Sequence, residues 1–507
     1  MKIERSKNAA RNIVFGIILK IYQTLVPFVM RTIMIYYLGI QYLGLNSLFT
    51  SVLQVLNLVE LGVGSAMVYS MYKPIVDDDS RRICSLMRLY RTYYHIIGFV
   101  VLAAGLVITP FIPHLIKGSV PDNISVFILY LLNLGATVLS YWLFAYKNSL
   151  FQAYQRLDVV SKVTLSTNTV QYIFQAGAII VLKNYYIYVI MSLGGQALTN
   201  IVTAVVADRM YPDLKPGEKL DSKSVKEING RIRDLFATKV GGVIFGASDT
   251  IVISAFLGLT SLAIYQNYYY IMSAVYNLVM VIFASVTAGI GNSLLTESLD
   301  KNYNDLKKFT FIICWISCVC CSCFSGLYQP FMKLWVGNKL MLSDRFVPLM
   351  CVYFYVLVLS MIWATIKDAA GMWHSDRFRQ LIGAFVNLFM NILLVRVIGL
   401  AGVVLSTILS YVFITMPWLI HNIFTLLYKR RPWDYILELA GYAGITIIAS
   451  SLTFIISQNF TMGGIGGFII LFVICLIIPN AILFIYLHRK TEFIETKQLI
   501  VHMIKKG

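Results

Sequence analysis

The sequence predicts an all-α polytopic membrane protein of about fourteen transmembrane helices: two six-helix bundles followed by two extra C-terminal helices. Three observations carry that expectation. Of the 507 residues, 58% are hydrophobic and 13% charged, with a mean hydropathy of +0.74, which leaves too little polar surface for a soluble chain of this size. Apolar runs of about 20 residues, enough to cross a ~30 Å hydrocarbon core, recur from end to end. The basic residues alternate between crowded and sparse loops.

The runs fall at about 12–36, 43–71, 90–112, 124–146, 160–182, 185–207, 235–257, 264–294, 308–328, 346–366, 378–398, 400–427, 434–457 and 464–487. Lys2, Glu4, Arg5 and Lys7 precede the first. That run is too long for a signal peptide and lacks a small-residue cleavage site, so it reads as a retained signal anchor. With an even number of spans both termini share one side, and nearly all loop Lys and Arg fall there. Only Lys117, Lys183, Lys333, Lys339, Arg345 and Arg396 fall opposite, which makes the termini cytoplasmic.

The longest basic loop contains YPDLKPGEKLDSKS, whose prolines, glycine and mixed charges mark a linker. The expected division is therefore 1–210 for the first bundle, 211–234 for the linker, 235–428 for the second bundle and 429–507 for two helices and a cytoplasmic tail. A faint internal echo supports it: Leu38-Gly39-Ile40 after the first run matches Leu257-Gly258-Leu259 after the seventh. Six helices apart, the copies would run the same way through the membrane.

The formal charge of +18 does not indicate nucleic-acid binding, because the cations sit in short loops between apolar runs. Eight cysteines are present. Cys318 and Cys321 have CxxC spacing but no His or acidic neighbour to complete a metal site, so the cysteines read as small apolar filler.

Inside the apolar runs, ionisable residues stand out because a cation at mid-bilayer costs about 2.5–3.5 kcal/mol. Lys20 and Arg31 lie about three helical turns apart in the first run, on a stripe with Asn12, Gly16, Thr24 and Pro27. A wet, cationic interior suited to an anionic head group is the expectation. In the second run Asn46, Thr50, Asn57, Glu60 and Gly64 share a face of a continuous helix. Glu60 is a natural partner for Lys20 or Arg31, either as a structural ion pair or in gating and substrate coupling. The seventh run carries Lys239, which snorkels to the surface, and the deeper Asp249, which either pairs with a cation or carries a proton. In the eighth, YQNYYYIMSAVYN places Asn267, Tyr270 and Asn277 on one face and Tyr265, Tyr269 and Tyr276 on another. Such residues suit a carbohydrate, rings against C–H faces and amides to hydroxyls, and equally suit helix–helix hydrogen bonding. Asn387 and Asn391 share that ambiguity.

No P-loop, GxSxG, HExxH or exposed DxD motif occurs, so the expectation is a non-enzyme without cofactor or metal. Four stretches resemble Wzx-type polysaccharide flippases: RTIMIYYLGIQYLGLNSLFTSVLQVLNLVELGVGSAMV (31–68), FQAYQRLDVVSKV (151–163), SDTIVISAFLGLTSLAIYQN (248–267) and AAGMWHSDRFRQLIGAFVNLFMNILLVRVIGLAGVVLSTILS (369–410). The resemblance implies the multidrug/oligosaccharidyl-lipid/polysaccharide exporter superfamily, with two six-helix bundles in a V around a central cavity. It implies a flippase of the bacterial inner membrane, moving undecaprenyl-pyrophosphate-linked oligosaccharide to the outer leaflet for O-antigen, capsule or exopolysaccharide. Lys20, Arg31, Glu60 and Asp249 match the family's charged lumenal positions. The implied partners are that lipid-linked oligosaccharide, the bilayer and other polysaccharide-assembly proteins. The alternatives are a lipid II flippase, a multidrug antiporter or, from another class, a polytopic polysaccharide polymerase.

Overall fold

The computed structural model describes residues 5–460 and 464–506, so Lys2 and Glu4 lie outside the described residues. Hydrocarbon offers no partner to backbone N–H and C=O groups, and the apolar runs satisfy theirs internally as helices. By packing, the chain divides into two compact units, Met1–Ala263 and Ile264–Gly507.

The first unit begins with α1 (Arg5–Tyr37), which turns at Gly39 into α2 (Ile40–Leu56). α2 does not continue as the unbroken helix expected over 43–71. A 3₁₀ turn spans Asn57–Glu60, Gly62 takes φ +92°, and α3 (Val63–Val76) restarts beyond it. A side chain at Gly62 would be strained by that φ and would meet the Ile232 carbonyl oxygen at 2.9 Å. The single polar face proposed for Asn46 through Gly64 is therefore divided: Asn57 and Glu60 sit on the break.

α4 (Ser80–Ile108) is capped by Asp79, whose carboxylate accepts from the Arg82 N–H at 2.9 Å. α5 (Val126–Trp142) is bent by 50° from the segment ending in α6 (Asn148–Ala153). α7 (Leu157–Ile180), α8 (Tyr185–Met210) and α9 (Ser222–Leu257) follow, and Gly258 turns the chain into α10 (Leu259–Thr296). α1 packs on α7, α7 on α8, α4 on α5 and α2 on α9. The two echoed Leu-Gly turns share a backbone shape, Gly39 at φ +114°, ψ 162° and Gly258 at φ +86°, ψ 174°.

The second unit takes the rest of α10 and is built on α11 (Leu299–Trp335). Next come α12 (Phe346–Ala369), α13 (Trp373–Asp376), α14 (Arg379–Ile398) and α15 (Leu400–Ser410). α15 passes through a π-helical turn into α16 (Met416–Asn422), and α17 (Trp433–Gln458), α18 (Gly464–Leu487) and α19 (Thr491–Lys506) complete the chain. α11 packs against α12, α17, α18 and α19. Its cysteines fill space between helices: Cys318 is fully buried, and the Cys321 and Cys351 thiols donate to each other's carbonyls at 3.4 and 3.5 Å. The amphipathic α19 is held to α11 by Lys307–Glu492 (3.2 Å) and Lys308–Glu495 (3.1 Å), with Phe493 stacked on Trp315.

Among the described residues, eleven helices are long and apolar enough to cross a membrane, or up to twelve if the bent pair is one span. α7 and α10 are 24 and 38 residues long but fall outside that set. The fourteen spans expected from the sequence include both. The chain is an all-helical, multi-pass membrane protein.

Candidate functional site

The break after α2 creates the most distinctive polar site of the first unit. The Glu60 carboxylate accepts from the Tyr94 hydroxyl at 2.6 Å and from the Tyr141 hydroxyl at 3.1 Å. Tyr90 in turn donates to the Tyr94 oxygen at 3.0 Å. Tyr90 and Tyr94 lie four residues apart on α4, hence on one face, with ring centroids 4.6 Å apart; Tyr94 and Tyr141 are 5.6 Å apart. All three rings are buried. One turn before Glu60, the Asn57 Oδ1 is buried with no hydrogen-bond partner among the described residues. Glu60 is thus met by tyrosine hydroxyls, where sequence pairing pointed to Lys20 or Arg31. An ionised carboxylate has about four acceptor positions, and these two hydroxyls fill half of them.

On α1, Lys20 is exposed and Arg31 half-buried, its charge acting on Tyr188 of α8. Asn12, grouped with them by spacing, serves a different purpose. Its Nδ2 donates to the Gln155 carbonyl at 3.0 Å and its Oδ1 accepts from the Asp158 N–H at 2.8 Å, tying α1 to the start of α7. The Asp158 carboxylate is fully buried and accepts from Arg156 Nε (2.9 Å) and Lys162 Nζ (3.3 Å). Burial would raise its pKa, but these hydrogen bonds and charges outweigh burial and hold it below the ordinary aspartate value. Within FQAYQRLDVVSKV, this aspartate is a structural fastening.

Asp249 is buried in α9 between Ser248 and Thr250, also buried. Lys239, on the same helix, is exposed and reaches the Ser65 hydroxyl at 3.4 Å. In the second unit Asn267 is fully buried, while Tyr270 and Asn277 are half-buried. Neighbouring tyrosines are taken up by packing: Tyr268 ties α10 to α11 and the segment after it, donating to Gln329 Oε1 at 2.8 Å and accepting from the Leu342 N–H at 3.1 Å, and Tyr265 stacks on Tyr269 of its own helix. Asn387 donates to Thr407 Oγ1 at 3.0 Å and Asn391 donates to Asn387 at 3.2 Å, fastening α14 to α15. Asp376 is likewise enclosed by Arg379 and Lys367.

Lys20, Arg31, Asn57, Glu60 and Asp249 belong to the first unit; Asn267, Tyr270 and Asn277 belong to the second. Of these, Asn57 and Glu60 share one turn. The tyrosines around Glu60 were missed by sequence reasoning. The signal was the i, i+4 pair Tyr90 and Tyr94 at the head of an apolar run. Among the described residues, no cluster of three His, Cys, Asp or Glu is placed to hold a metal ion.

The fold is similar to that of the lipid II flippase MurJ in an inward closed conformation, with TM-score 0.67 at 15% identity, covering 94% of this chain and 100% of the flippase. It is also similar to an inward-facing multidrug-resistance MATE transporter of the MOP superfamily, with TM-score 0.63 at 12% identity, covering 80% of this chain and 97% of the transporter. A MOP-superfamily transporter from Pyrococcus furiosus aligns with TM-score 0.53 at 11% identity, covering 84% and 97%. No curated protein matches the chain by sequence. At these identities the likeness is one of fold. The family described as "Polysaccharide biosynthesis protein" matches residues 9–288. With more than half its length on that family's pattern, from α1 through most of α10, the chain belongs to the polysaccharide biosynthesis protein family.

Proposed function

We propose that the chain is a flippase for polyprenyl-pyrophosphate-linked oligosaccharides, of the Wzx type, carrying repeat units from the cytoplasmic to the outer leaflet of a bacterial inner membrane. The observation that carries this reading is a polysaccharide-biosynthesis sequence on a fold shared with a lipid flippase and with exporters of the same superfamily. Its first helix bears cations, Lys20 and Arg31, as an anionic cargo requires.

The barrier to flipping is desolvation of a pyrophosphate and its sugar hydroxyls. One cation about 4 Å from one phosphate charge, at an effective dielectric near 20, supplies about 4 kcal/mol before screening. Lys20 and Arg31 offset part of that barrier, while Asn57, Tyr270 and Asn277 bond sugar hydroxyls, joined by Asn267, fully buried in this conformation, once alternating access exposes it. Glu60 serves gating or substrate coupling and Asp249 pairs with a cation or carries a proton, while binding stays modest enough for release. Two bundles, 1–210 and 235–428, alternate access while the prenyl tail stays in lipid, and both termini remain cytoplasmic.

Purified protein in liposomes decides the matter. Flipping of a polyprenyl-pyrophosphate oligosaccharide, without export of cationic dyes, is the expected result. Dye export without flipping makes the chain a multidrug antiporter; transport confined to lipid II makes it a peptidoglycan-precursor flippase.

A further inference from the structure

The exposed face of α4 carries Arg88, Arg91, Thr92 and His95 at helical spacings of three and four. The linker closes one side of this group. The Gly217 N–H donates to the Cys84 carbonyl at 3.0 Å, and Arg88 donates to the Gly217 carbonyl at 3.0 Å. A Cβ on Gly217 would stand 3.0 Å from the Cys84 Cβ, so the strap lies directly on the helix. Pro216, Gly217 and the four α4 residues line an open surface pocket of about 430 Å³, and no carboxylate lines it.

The next turn of the same face is apolar and exposed: Ile96 at 53%, Phe99 at 60% and Val100 at 42%. Trp142 marks the junction. Its ring centroid lies 4.9 Å from that of Phe99, and its indole N–H donates to the His95 carbonyl at 3.3 Å. Indoles favour the boundary between headgroups and hydrocarbon. Two guanidiniums, a hydroxyl and an imidazole thus stand one turn outside the apolar band, beside an interfacial tryptophan.

We propose that this pocket binds the phosphate of an anionic phospholipid. Arg88, Arg91 and Thr92 donate to the phosphate oxygens, guanidinium being suited to paired N–H···O bonds, and the acyl chains lie along Ile96, Phe99 and Val100. Basic pockets at the membrane surface bind anionic headgroups. The apolar strip continuous with the pocket selects a lipid over free phosphate. Because Arg88 also holds Gly217, the occupied site fastens the linker to α4. None of this depends on the cargo.

The full chain in zwitterionic detergent is titrated with dioleoylphosphatidylglycerol, with dioleoylphosphatidylcholine and with inorganic phosphate. Tm and native mass spectrometry are the readouts. The expected result is saturable stabilisation by phosphatidylglycerol alone, with half-saturation shifted about tenfold higher in Arg91→Gln/His95→Gln. Arg91→Gln alone, which leaves the Arg88–Gly217 bond intact, shifts it in the same direction and serves if the double variant folds poorly. Three results overturn the proposal: an equal response of the variants, an equal response to phosphatidylcholine, or an inorganic phosphate effect that matches the lipid's.

Discussion

Tyr94→Phe removes one oxygen atom from the most connected position of the Glu60 site. That hydroxyl donates to Glu60 at 2.6 Å and accepts from Tyr90 at 3.0 Å. A hydrogen bond to a charged acceptor contributes about 1.5–3 kcal/mol, and a buried hydroxyl left without its acceptor costs about 1 kcal/mol or more. Tyr90 is 4% exposed, so both losses apply and the variant should lose about 3 kcal/mol. Tyr141→Phe removes a single longer bond of 3.1 Å and should lose about 1.5 kcal/mol. Tyr90→Phe removes a neutral bond and should lose about 1 kcal/mol. Reversible denaturant unfolding in mixed micelles gives the three values at constant slope. Repeating Tyr94→Phe in a Glu60→Gln background isolates the charge-assisted part, because the amide still accepts but carries no charge; the loss should shrink by about 1–2 kcal/mol. An unchanged loss in that background, or Tyr94→Phe within 0.5 kcal/mol of wild type, would refute the network.

Two further predictions concern the scaffold. Asp158→Asn should destabilise by about 2–3 kcal/mol at neutral pH, discounted from the cost of a fully buried pair because Arg156 and Lys162 are partly exposed. Since the folded pKa of Asp158 is lowered, its contribution is present above the ordinary aspartate value and lost as pH falls through the lowered one. The Tm difference between wild type and variant should therefore close on acidification; a constant difference contradicts it. Gly62→Ala forces a β-carbon into a left-handed turn against the Ile232 carbonyl and should cost about 1–3 kcal/mol, read by the same unfolding assay. A neutral result would mean the break can straighten.

Much of the fold was legible because membrane helices are selected by length and hydropathy, and both are sequence properties. The Leu-Gly echo also corresponds to a real likeness, two positive-φ glycine turns of the same shape. The break at Asn57–Gly62 was hidden. A glycine within an apolar run reads as a packing residue, and its positive φ and the close approach of α9 to it exist only in the folded chain. The environment of Glu60 was hidden for a related reason. Charge pairing is the easiest inference from one-dimensional spacing, whereas two hydroxyls contributed by α4 and α5 meet only after both helices have packed. Asn12 carries the same lesson, since its partners Gln155, just before α7, and Asp158, in the first turn of α7, are far away in sequence. The chemical types were recognised; their partners depended on tertiary packing.

The most direct measurement is polymer production in a flippase-deletion strain complemented with wild type, Lys20→Ala, Arg31→Ala or both, at matched membrane levels. If paired positive charge on α1 neutralises a travelling pyrophosphate, each single variant should lose output and the double variant nearly all of it. Near-normal polymer from the double variant would contradict that role and remove both cations from the transport path.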